Sequence, residues 1–134
     1  MIKYLFIILF SVALAYFCNS AIKKYSMIDE GNYASILSQH ANDSEILVLS
    51  LKYCDACQKL FEFLDLNNVD YNYNYNYNYN YNYHYLDIAK SDLGLKLYKE
   101  SNVSSVPIIY LKNIRMIGFD TDLLNEELKR RNLL

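Results

Sequence analysis

Cysteine is scarce in this sequence: three residues in 134, at positions 18, 54 and 57. A disulfide framework needs several well-separated cysteines, and Cys54 and Cys57, spaced Cys-x-x-Cys, are too close together to frame a fold. Structural zinc takes four ligands. With no second Cys-x-x-Cys and no histidine pair, only a homodimer pooling four thiolates would supply them. Proline is scarcer still, with Pro107 alone. Cationic charge is neither abundant nor clustered. Lys and Arg total 13 against 15 Asp and Glu, for a net charge of −2, and their scatter leaves no basic stripe for nucleic acid and no charged tail. A single long apolar run is present, and the length leaves room for one domain.

That run, Tyr4 to Phe17, follows Lys3. At 14 residues it is short of the about 20 that a bilayer span needs and suits the core of a signal peptide. Small and polar residues follow, so cleavage is expected after Ser20 or Ala21. Residues 1–20 are therefore set apart as a signal peptide, an uncleaved anchor being the alternative. Phe17 stands where a lipidation signal wants a small residue before its cysteine, so Cys18 is expected to leave with the leader.

The chemistry concentrates at residues 46–66. Ile46 to Leu51 is apolar almost throughout, as in a central strand covered on both faces. After it, Cys57, Leu60, Phe61 and Leu64 fall at i, i+3, i+4 and i+7, one stripe of a helix from Asp55 to Leu66. The dithiol thus sits where a buried strand turns into a helix, with Cys54 at the helix start. Free N–H groups and the positive end of the helix dipole favour the thiolate there. Strand, Cys-x-x-Cys, helix marks a thioredoxin-like redox site.

Upstream, Tyr33, Ile36 and Leu37 repeat at helical spacing, with Asn32 as a possible cap. Downstream, Tyr-Asn repeats six times from Tyr71 to Asn82, and seven of the 15 tyrosines lie in residues 71–83. Identical dipeptides fit a packed core poorly, where each position has its own shape. The segment 71–83 is read as a tolerated insert, with an adhesive segment as the functional alternative, and His84 as a surface histidine. Beyond it, Tyr85–Ile88 reads as a second strand and residues 91–101 as a helix capped by Ser91 or Asp92. Val106–Leu111 and Ile114–Ile117 read as an antiparallel pair joined at Lys112-Asn113. A last helix, capped by Asp120 or Thr121, buries Leu123, Leu124 and Leu128. The expected order is α-β-α-β-α-β-β-α.

Three motifs in residues 46–131 resemble the glutaredoxin branch of the thioredoxin fold. They are the dithiol Cys54-Asp55-Ala56-Cys57, the segment Ser105-Val106-Pro107, and Gly118-Phe119-Asp120. The resemblance implies an α/β thioredoxin fold with a central mixed four-stranded sheet, spanning residues 21–134 with the insert. It also implies a cis peptide bond at Pro107, lying against the dithiol. In the family's Gly-Gly-aromatic-Asp segment, which holds the glycyl end of glutathione, Ile117 replaces the first glycine here, and Thr121 replaces the acid that follows.

The expected activity is that of an exported thiol–disulfide oxidoreductase, in the periplasm or the secretory lumen. Cys54 attacks and Cys57 resolves. Lys52, Tyr53, Val106, Pro107, Gly118, Phe119 and Asp120 form the substrate-binding set. No bound cofactor or metal is expected. Glutathione is a candidate co-substrate, protein disulfides or dithiols are the expected partners, and the chain is expected to be a monomer that meets a membrane only through its leader. Two other readings stand beside this one: a metal-binding module built on Cys54 and Cys57, and a surface protein acting through its Tyr-Asn tract.

Overall fold

The computed structural model describes residues 2–41, 44–67 and 83–134. Its elements, in chain order, are α1 (Ile2–Tyr25), β1 (Ile28–Glu30), α2 (Ala34–His40), β2 (Ile46–Ser50) and α3 (Asp55–Leu66). Then come β3 (Tyr83–Asp87), α4 (Asp92–Glu100), β4 (Ile108–Leu111), β5 (Ile114–Ile117) and α5 (Thr121–Arg130). All five residues of β2 are buried, because helices cover both of its faces. Ile46 and Val48 pack with Leu60 and Leu64 of α3 and with Leu123, Leu124 and Leu128 of α5. Leu47 and Leu49, pointing the other way, pack with Leu37 and Ala41 around α2 and with Leu97 of α4.

The strands lie in the order β1-β5-β4-β2-β3. β2 runs parallel to β3, and the other pairs are antiparallel. This mixed sheet with helices on both faces fits an α/β thioredoxin-like fold, but it has five strands rather than the expected four. The extra strand, β1, is Ile-Asp-Glu, too short and too polar to show an apolar alternation. It is held by its backbone ladder to β5 and by Asp29.

Local signals fared unevenly. Asp120 and Ser91 cap α5 and α4 as expected, accepting from the N–H groups of Leu123 and Gly94 at 2.9 and 3.0 Å. Asn32 is not a cap: Tyr33 holds that position, without a side-chain bond. β4 starts at Ile108 rather than Val106, since Pro107 has no N–H to give the ladder. Tyr83, assigned to the insert, is instead the buried first residue of β3, stacked 5.8 Å from Phe61. His84 is half-buried rather than on the surface, and burial pushes its imidazole below the usual range. The expectation about Tyr71–Asn82 falls outside the described residues.

Asp29 ties the edge strand down. Its Oδ2 accepts from the Tyr33 hydroxyl and from Arg115 Nη2, each at 2.6 Å. Arg115 Nη1 donates to the Ser101 carbonyl at 2.8 Å, and the guanidinium lies 5.4 Å from the centroid of the Tyr33 ring. The Tyr33 hydroxyl, and then the charge of Arg115, hold the Asp29 carboxyl below its ordinary value, against the opposing effect of burial. The unfolded chain therefore binds this proton first, so the stabilisation is present at neutral pH and fades as pH falls through and below the carboxylate range. Asp29→Asn should cost about 1 kcal/mol at pH 7, at the low end for a charge-assisted bond because the side chain is 44% exposed. Urea midpoints for the two proteins should converge as pH falls. A gap that stays constant into acid would remove the carboxylate from this account.

Candidate redox site

β2 ends at Ser50, and after a short turn Cys54 takes the N-cap of α3 with an extended backbone (φ −100°, ψ 112°). The residue types dictate this. An apolar strand must stop where its cover ends, and a side chain that accepts a hydrogen bond is what the free N–H groups of a new helix require. Here the acceptor is sulfur: the Cys57 N–H donates to Cys54 Sγ at 3.1 Å. The two cysteines form a disulfide, with Cα atoms 5.2 Å apart. Cys57 is fully buried on the inner stripe of α3, while Cys54 keeps partial access to solvent.

Cys54 Sγ lies 3.7 Å from the Val106 carbonyl oxygen. The Val106–Pro107 bond is cis. The Pro107 carbonyl accepts from the Gly118 N–H at 2.8 Å, which joins the start of β4 to the end of β5. Gly118 has φ +84°, a conformation that favours glycine, and a Cβ there would lie 3.2 Å from the Met27 methyl carbon. Five predicted residues, Cys54, Cys57, Val106, Pro107 and Gly118, are thus linked by direct contacts. Phe119 and Asp120 follow Gly118, but their side chains have structural work. Phe119 packs 5.9 Å from Phe63 of α3, and Asp120 caps α5.

Lys52 and Tyr53 stand on the other flank, beside β3. Both are exposed, and Lys52 Nζ lies 5.3 Å from the Tyr53 ring centroid. The Lys52 carbonyl accepts from Gln58 Nε2 at 3.2 Å. Lys52 also lines a groove of about 360 Å³ with Ser50, Gln58, Phe61, Asp87 and Lys90 among its walls. Gln58, Asp87 and Lys90 were not among the predicted site residues. Their signal was topological: residues just past the carboxyl ends of neighbouring parallel strands share one crevice, and Ser50 pairs with Asp87.

The electrostatics act in two directions. The N-terminus of α3 favours negative charge on Cys54, and Asp55 in the first turn opposes it. Among the described residues, no group of three or more His, Cys, Asp or Glu is placed to hold a metal ion. A half-exposed, half-buried Cys-x-x-Cys disulfide at a helix start, in a thioredoxin-like sheet, fits a thiol oxidoreductase.

No protein-family model matches this chain, and no curated protein matches it. Among solved structures, a glutaredoxin from Archaeoglobus fulgidus is similar at 22% identity and a TM-score of 0.47, over 63% of this chain and 86% of that one.

Proposed function

We propose that this protein is a thiol–disulfide oxidoreductase that works through Cys54 and Cys57. The observation that supports it is the asymmetry of the pair: one sulfur reachable at a helix N-terminus, the other sealed behind it. In the reduced protein the Cys54 thiolate attacks a substrate disulfide. A Cys54–substrate bond forms, the substrate S–S bond breaks, and the departing sulfur takes up a proton. The Cys57 thiolate then attacks Cys54 Sγ, releasing the second substrate sulfur as a thiol and closing the Cys54–Cys57 disulfide. Two substrate sulfurs are reduced and two protein sulfurs oxidised; the reverse sequence oxidises a dithiol.

Val106, whose carbonyl faces Cys54, offers backbone to an extended substrate strand or to glutathione. Lys52 on one flank, and Gly118 through Asp120 on the other, bracket that strand. Asp55 makes the pair a stronger reductant, because a carboxylate between the two sulfurs disfavours the thiolate and so favours the disulfide form. The apolar helix α1 is compatible with a signal peptide or an anchor, and a signal peptide would place the domain in the periplasm or the secretory lumen.

The test is reduction of insulin disulfides by the full chain with a chemical dithiol as the electron source. A rate no faster than the dithiol alone gives overturns the reading. The reduction potential then assigns direction: near about −270 mV the protein is a reductase, near about −120 mV an oxidant.

The Tyr-Asn tract is not needed for this chemistry. Its flanking residues, Asn67 after α3 and Tyr83 at the start of β3, lie at the end of the sheet away from the dithiol: Tyr83 pairs with Ile46, the first residue of β2, and Cys54 follows the last. Loop closure there is tolerant, at about 0.6 kcal/mol per doubling of length. Deleting Tyr71–Asn82 should leave insulin reduction within about threefold, a barrier change under about 1 kcal/mol. A hundredfold loss in a folded deletion variant would bring the tract into substrate binding.

A further inference from the structure

We propose that α1 is retained as a membrane anchor and holds the dithiol end of the sheet against the bilayer surface. The substrates are then cysteine pairs of membrane-embedded proteins, close to the headgroups. The substrate half rests on the redox reading above; the placement half does not.

Length comes first. In sequence the apolar run stops at Phe17, where Cys18-Asn19-Ser20 interrupts it. In the structure one helix passes through these residues without a break and ends at Tyr25. The segment Tyr4–Lys24 has 21 residues, and its most apolar 18-residue window has a mean hydropathy of 2.2. At 1.5 Å per residue the segment is about 31 Å long, the thickness of a hydrocarbon core. From Tyr4 to Phe17 the helix is apolar on every face but for Ser11, and residues 4–23 are exposed throughout, so no described element of the domain covers them. A helix of that kind is matched by lipid.

The exit point sets the orientation. Lys23 and Lys24 occupy the last turn of α1, where long cationic side chains reach the headgroups. The Met27 N–H donates to the Lys24 carbonyl at 3.3 Å, and β1 starts one residue later. The Met27 carbonyl accepts from the Ile117 N–H at 2.8 Å, beside Gly118. The anchor therefore enters the domain at the end of the sheet that carries Gly118, Pro107 and Cys54. From Lys24 to Met27 the chain spans at most about 10 Å, whatever angle the helix takes. From β1 across β5 and β4 to β2 is three inter-strand steps, about 14 Å. The rim at this end suits the headgroup zone: Tyr53 is 86% exposed beside the exposed Lys52 and Lys90, an aromatic-and-cation pairing typical of membrane interfaces.

The test uses the full chain in phosphatidylcholine vesicles that contain a nickel-chelating lipid. One nitroxide is placed on Cys54 in a Cys18→Ser, Cys57→Ser chain. A second is placed at the far end of α3, in a Leu66→Cys chain with all three native cysteines changed to Ser. Collisional relaxation by the headgroup nickel should be at least fivefold stronger at position 54. Equal relaxation, or stronger relaxation at position 66, overturns the placement, as does recovery of a mature chain that begins after Ser20. These readouts need no turnover, so they stand or fall apart from insulin reduction. The substrate class is tested with a transmembrane peptide bearing a cysteine disulfide. Its reduction should be at least fivefold faster when the pair lies next to the bilayer than beyond a 15-residue hydrophilic spacer. Equal rates in a chain that reduces insulin overturn the substrate assignment alone.

Discussion

Cys54→Ser should reduce the rate of disulfide reduction by about a thousandfold or more, a barrier increase of about 4 kcal/mol. The expectation follows from placement. Cys54 is the N-cap of α3, its sulfur accepts the Cys57 N–H at 3.1 Å, and it retains solvent access. An approaching disulfide meets this sulfur, and the helix terminus stabilises the negative charge it must carry to attack. A serine hydroxyl can keep the cap but does not ionise at neutral pH, so the fold should survive while the chemistry stops. Cys57, fully buried, has a different part. Cys57→Ser should still attack and then stall, leaving Cys54 joined to substrate in adducts visible on a non-reducing gel and released by dithiol. Both variants belong in a Cys18→Ser background, since Cys18 is exposed. If Cys54→Ser retains activity and Cys57→Ser has none, the roles are reversed. If both retain it, the chemistry lies elsewhere.

The fold was legible wherever burial repeated with the period of its element. β2 had to be covered on both faces because five consecutive residues had no wet side. The bounds of α3 followed from the stripe Cys57, Leu60, Phe61 and Leu64, and it runs from Asp55 to Leu66. β1 was not legible, since an edge strand of three residues gains its stability from backbone pairing and from the Asp29–Arg115 contact, between residues far apart in sequence. Tyr83 was hidden for another reason: it continues the Tyr-Asn spelling, yet its ring stacks on Phe61 and its hydroxyl donates to Asp65 at 3.2 Å. The site divided in the same way. Cys54, Cys57 and Pro107 carry motif spacing, whereas Gln58, Asp87 and Lys90 come together only because β2 and β3 run parallel and end side by side. In the leader, periodicity and helix length part company. Asn19 and Ser20 end an apolar count but not a helix.

Leu60→Ala should destabilise the protein by about 3–4 kcal/mol, a large share of the about 5–15 kcal/mol that holds a domain together. Leu60 is fully buried on the inner stripe of α3, in one cluster with Ile46, Val48, Ile109 and the leucines of α5. Truncation removes its burial and also leaves a cavity that close-packed neighbours on a rigid sheet do not fill. The contrast is Leu66 on the same helix, 83% exposed, where Leu66→Ala should change stability by no more than about 0.5 kcal/mol. Urea midpoints of the full chain in one detergent, with unchanged slopes, measure both. Because Leu60 lies one turn below Cys57, it also seats the helix whose first turn carries the dithiol. Below the unfolding transition the Leu60→Ala enzyme should therefore keep most of its disulfide-reducing rate, since the cap and the Val106 contact lie above the cavity. The loss should appear as a lower urea midpoint and earlier thermal inactivation. A cost below about 1 kcal/mol for Leu60→Ala would mean that α3 does not seat on the sheet through this residue. The buried position of Cys57, three residues before it on the same stripe, would then lose its support.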